Sequence, residues 1–186
     1  MNEDVFSQKQ VNRNFKPVLL ISIIFIIWSF IIIDSVKELI IVILLIGFMN
    51  VIATINYYDD IIPDKLNLIF GIVGIAINLL IGNLGILSMM GGFFIGGLSL
   101  FVIAFIYQLI TKREGIGGGL IKYLAALGLW LGYKYILITI ILGFMGLSIM
   151  WTIILMLNFK KGSHLIPADI YFSSGAFITL LYGDKI

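Results

Sequence analysis

Long apolar runs separated by short polar or glycine-bearing intervals recur along nearly the whole chain. They fall at roughly 17–33, 38–58, 66–82, 90–111, 120–133, 135–157 and 170–183. The runs are continuous and do not alternate with period two, and several approach the ~20 residues with which a helix crosses a bilayer. The fifth and the last are short for that purpose, which fits tilted, neighbour-buried or re-entrant segments. Backbone in lipid has to satisfy its own hydrogen bonds, leaving helices or closed barrels, and continuous runs select helices. The pattern predicts an all-α, polytopic membrane bundle of six or seven helices. It forms a single embedded domain over residues 17–186, behind a polar arm at 1–16.

Composition removes the soluble alternative. The chain is 61% hydrophobic and 12% charged, and its mean hydropathy is +1.14, far from the values of soluble domains. It contains no cysteine, which excludes disulfides and thiolate metal sites. His164 has no second histidine beside it, so a solvated loop residue is expected and no metal site. A net charge of +2 is too small to suggest nucleic acid as a partner.

The placement of charge matters more than its sum. The arm carries Lys9, Arg13 and Lys16 and reads as a cytosolic lead-in, since no small-residue cleavage site follows the first apolar run. With the N-terminus inside, nine of the twelve basic residues face the cytosol, against Lys37, Lys134 and Lys185 outside, in keeping with the positive-inside bias. The intervals Asp59–Lys65, Lys112–Gly119 and Asn158–Asp169 then open on one face, and a site assembled from them lies at the inner membrane boundary.

Two of those intervals carry the candidate chemistry. In Ile62-Pro63-Asp64, Pro63 is expected to end the incoming helix and Asp64 to cap the outgoing one. Asp59 and Asp60 read as solvated loop charges. Asn56 lies deeper, and its simplest role is an interhelical hydrogen bond. The second interval runs Gly115-Ile116-Gly117-Gly118-Gly119-Leu120-Ile121-Lys122 into an apolar helix. Its glycines suit a backbone that an extended substrate approaches closely, while Lys122 is expected to snorkel or to pair with an acid. Gly92-Phe93-Phe94-Ile95-Gly96-Gly97 offers small residues for close helix packing. Trp28, Trp130 and Trp151 read as packing or interfacial aromatics.

Together with Ile166-Pro167 and the run Phe177-Ile178-Thr179-Leu180-Leu181-Tyr182-Gly183, these motifs resemble the prepilin leader peptidases, the polytopic aspartic peptidases of type IV pilus and related secretion systems. The resemblance spans about Asn50 to Gly183. It implies a membrane-embedded endopeptidase of the prokaryotic cytoplasmic membrane, without a cofactor. Its substrate would be a pilin-like precursor with a basic leader and an apolar helix, cut at the cytosolic boundary. It further implies that Pro63, Asp64, Gly115, Gly117, Gly118, Gly119, Lys122 and Pro167 belong to the substrate-groove motifs. In the family one catalytic aspartate stands eight positions before the aspartate of the Pro-Asp pair, and the other closes the glycine run. Here those positions hold Asn56 and Leu120. Ala168-Asp169-Ile170 also departs from the family's Phe-Gly-Pro-like turn.

An aspartic peptidase holds water between two carboxyls that share one proton. Asparagine orients water but takes no proton at neutral pH, and leucine does neither. The chain is therefore expected to bind without cutting, either as an inactivated variant or as a natural pseudopeptidase. A relocated dyad of Asp60 with Asp169 would shift an acid by about one turn, ~5–6 Å, which disfavours it. The lack of cysteine and the short arm speak against the N-methyltransferase activity of some family members. A non-catalytic pilus or secretion assembly factor is the neighbouring alternative. A small transporter or channel component is the distant one, but no ionisable residue stands mid-span to couple an ion.

Overall fold

The computed structural model describes residues 16–59, 61–82, 84–112, 116–156 and 168–182. The arm before Lys16, Asp60, Gly115, His164 and Pro167 lie outside them. The described residues form six helices: α1 (Lys16–Ile32), α2 (Val36–Asp59), α3 (Asp64–Leu80), α4 (Ile86–Thr111), α5 (Gly118–Met156) and α6 (Ala168–Tyr182). Among them α2, α4 and α5 are long and apolar enough to cross a membrane. Their outer faces expose Ile40, Val51, Phe94, Phe101, Ile110, Ile141 and Ile149, a surface suited to lipid.

The runs at 120–133 and 135–157 are the two limbs of α5, two helical segments that meet at the non-helical Gly132. Gly132 has φ 74° and ψ 174°, a region essentially reserved for glycine. The chain turns back there. A Cβ placed on Gly96 of α4 would lie 2.3 Å from the Leu124 carbonyl oxygen and 3.3 Å from Ile136 Cγ1, so residues twelve apart in sequence share one level. The first limb, from Gly118 to the turn, is only about 20 Å long at 1.5 Å per residue, which accounts for the short fifth run. Reversal frees carbonyls at the limb's end. Asn78 Nδ2 reaches those of Leu129 at 3.1 Å and Trp130 at 3.2 Å, so a buried side chain performs the capping.

That first limb is the centre of the molecule, with every residue from Tyr123 to Gly132 buried. α4 packs on it through glycines. The Cβ that Gly128 lacks would fall 2.0 Å from the Gly92 carbonyl oxygen, so the small-residue stripe in α4 is a close helix contact as expected. On the α3 side, Trp130 donates its indole N–H to the Phe70 carbonyl at 2.9 Å, and the Phe70 ring stacks between Tyr123 and Trp130. The second limb packs on α6, where the Thr139 and Thr179 hydroxyls lie 3.3 Å apart and Gly143 admits the Phe172 ring. α1 lies against α2 and α6, with Ser22 donating to Asn50 Oδ1 and Phe25 stacked on Phe177 at 4.1 Å.

Candidate functional site

The ends of α2, α3, α5 and α6 meet at one end of the bundle. α5 begins at Gly118, and a Cβ on Gly119 would stand 3.0 Å from the Ile62 carbonyl oxygen, so glycine lets the α2–α3 turn close over the helix start. Asn67 in the first turns of α3 donates from Nδ2 to the Gly119 carbonyl at 3.1 Å. Among the described residues nothing lies within 4 Å of a notional Cβ on Gly117 or Gly118. Their open flank is compatible with a second chain approaching, and packing does not require glycine at either.

Two expectations for the turn are corrected. α2 stops at Asp59, before Pro63, and Pro63 itself occupies the N-cap position of α3 with φ −66° and ψ 133°. Asp64 is the first helical residue and no side-chain bond caps this helix. Its carboxylate instead pairs with Lys122 at 2.6 Å, which fixes the Lys122 role as ion pairing with an acid. With the two side chains 55% and 68% exposed, water competes for both ions. Asp64→Ala or Lys122→Ala is expected to lower stability by under about 1 kcal/mol, read as a thermal shift in detergent.

Asn56 is half-buried on α2, and its Nδ2 donates to Asp169 Oδ1 at 2.6 Å. The expected interhelical hydrogen bond is thus present, with a partner that the sequence pattern did not supply. Asp169 was expected in a cytosolic loop, yet it lies in the first turn of α6 and is fully buried. Among the described residues its Oδ2 has no partner. One turn on, Ser173 shares a 2.6 Å hydrogen bond with the buried Tyr123 hydroxyl. Leu120 stands one turn before Tyr123 on the same face of α5, half-buried against the main core. The structure thus joins Asn56 to Asp169 and sets Tyr123 and Ser173 beside them, with Leu120 one turn before Tyr123 on α5. Gly115 and Pro167 fall outside the described residues. Among the described residues no cluster of three or more His, Cys, Asp or Glu is placed to hold a metal ion.

The sequence model of the type IV leader peptidase family matches residues 43–153, more than half of the chain and inclusive of Asn56, Gly117–Gly119 and Leu120. The chain belongs to the type IV leader peptidase family. Among curated proteins it is 28% identical over 134 residues to a prepilin leader peptidase/N-methyltransferase of Stutzerimonas stutzeri, covering 72% of this chain and 46% of the relative. It is 34% identical over 125 residues to one of Aeromonas hydrophila, covering 67% and 43%. One of Pseudomonas aeruginosa is 36% identical over 91 residues, covering 49% and 31%. The chain therefore spans less than half the length of these relatives. No solved structure matched it. As a member of this family with three helices able to cross a membrane, it is an integral membrane protein. The family match ends at residue 153, before Asp169, so the acid bound to Asn56 lies outside the matched region.

Proposed function

We propose that this leader peptidase homologue captures membrane-inserted, prepilin-like precursors at the cytosolic boundary of a prokaryotic cytoplasmic membrane without cleaving them. Asn56 and Leu120 stand at the positions of the family's two aspartates. The observation that carries the reading is the engagement of Asn56. Its amide nitrogen is committed to Asp169 at 2.6 Å, so position 56 acts as a bridging and recognition group and supplies no proton-transfer group. Across the site Leu120 offers no hydrogen-bonding atom at all. Without two carboxyls sharing a proton, no group both activates water and protonates the scissile carbonyl. What remains is suited to binding: an open glycine flank at Gly117 and Gly118 next to the start of a central helix.

The test uses a synthetic precursor with a lysine-rich leader, a glycine and an apolar helix, carrying a benzophenone at the leader–helix junction. The unmodified chain in proteoliposomes is expected to crosslink this precursor and leave it intact. Asn56→Asp combined with Leu120→Asp is expected to gain cleavage. Cutting by the unmodified chain would end the non-cleaving reading, and absence of crosslinking would end the recognition reading.

A further inference from the structure

The bond between Asn56 and Asp169 decides which atom of Asn56 looks outward. An asparagine amide has a donor end and an acceptor end, and either can face a neighbour that both donates and accepts. In the structure Nδ2 donates to Asp169 Oδ1, and an ionised carboxyl, which only accepts, keeps that end turned toward itself. The opposite end, Oδ1 of Asn56, then points away from Asp169. Asp169 is fully buried while Asn56 is only half-buried, so the exposure that this pair has lies on the Asn56 side. The constraint is tight. Among the described residues Asp169 Oδ2 has no partner and the Asn56 amide is the side-chain donor to Oδ1, so turning the amide would leave this buried carboxyl with the backbone N–H groups of Asp169 and Ile170 alone.

We infer that Asp169 is a positioning residue that locks Asn56 as a hydrogen-bond acceptor, and that the locked Oδ1 receives a backbone N–H of an extended precursor segment at the leader–helix junction. The inference rests on the capture reading above and gives it a recognition chemistry. Extended backbone presents N–H groups at regular spacing. The open flank of Gly117 and Gly118 lies at the same end of the bundle, where such a segment can approach. The ligand class is therefore an unpaired peptide N–H, and a fixed acceptor is selective for it over a carbonyl oxygen.

The test is a cycle with the same precursor, its junction amides N-methylated one at a time to remove each N–H. Asn56→Leu is expected to weaken capture roughly three- to tenfold, the worth of one hydrogen bond. Methylation of one junction amide is expected to weaken it equally, and the two changes together no further. Asp169→Leu frees the amide to turn and is expected to weaken capture similarly. The exchange Asn56→Asp with Asp169→Asn keeps both the bridge and an outward acceptor, so it is expected to bind like the unmodified chain. Additive losses, indifference to every methylation, or weak binding by the exchanged pair would overturn the inference. Should Asp169→Leu fail to fold, the exchange and the methylation series still decide. Should the unmodified chain capture no precursor, the capture reading fails and the lock is judged separately, by the Asn56 side-chain ¹⁵N–¹H resonances. One proton shifted downfield and dependent on Asp169 supports it, and two ordinary amide protons overturn it.

Discussion

Gly128→Ala is expected to break the contact between α4 and α5, and with it most of the stability of the bundle. The added methyl would lie 2.0 Å from the Gly92 carbonyl oxygen and 2.3 Å from its carbon, far inside van der Waals contact. No side chain can swing aside, because the obstructing atoms are backbone in the middle of a helix. The helices have to separate, and the separation spreads to Gly96 against Leu124, where the approach is equally close. Helix association in lipid draws on packing with no added hydrophobic drive, so lost contact is not recovered elsewhere. A loss of about 3 kcal/mol or more is expected, read as a large fall in the thermal midpoint in detergent. Gly47→Ala is the control: it is helical, exposed and has nothing within 4 Å of its notional Cβ. That change is expected to be neutral or to stabilise by up to about 1 kcal/mol. Equal midpoints for the two variants would sink the argument.

The features legible in the sequence are those governed by local pattern. Continuous apolar runs give helices because the alternative leaves backbone unsatisfied in lipid, and five of the six helices follow single runs to within a few residues. The glycine stripe from Gly92 to Gly97 reads as a helix contact because glycine there has no other local use. The interval from Gly115 to Lys122 pointed to the correct family. Asn56 was legible as part of an interhelical hydrogen bond because an amide within an apolar run has to find a partner.

The partner itself was not legible. Asp169 is separated from Asn56 by 113 residues, and the apolar pattern puts it at the end of a polar interval, where the sequence suggests it only as a dyad partner for Asp60. Its burial is a tertiary property, set by the second limb of α5 carrying α6 back against α2. Asp64 shows the converse. Its position after Pro63 matches a helix cap, but the Lys122 ammonium, brought alongside by the packing of α3 on α5, offers a charged partner that competes for the same carboxylate. Asn78 was passed over because its function depends on carbonyls that exist as unpaired groups only once α5 has turned at Gly132.

That turn carries the second large prediction. Gly132→Ala is expected to cost about 1–3 kcal/mol from backbone strain alone, because φ 74° with ψ 174° is a conformation that side chains exclude. The new methyl would also fall 2.5 Å from Ser88 Oγ, a flexible end that can rotate away. The two contributions separate experimentally. Adding Ser88→Ala relieves the contact but not the strain, so the double variant is expected to recover only a minor part of the lost thermal stability. Full recovery would show that crowding, and not backbone geometry, fixes glycine there. The consequence reaches the site through length. If the break moves, the first limb gains or loses part of a turn, and Leu120 and Tyr123 shift in depth relative to Asn56 and Asp169 on the other helices. Precursor crosslinking by a folded fraction of Gly132→Ala is therefore expected to fall further than its folded population. A loss of crosslinking that only tracks the folded population would mean that the reversal stabilises the bundle without setting the register of its site.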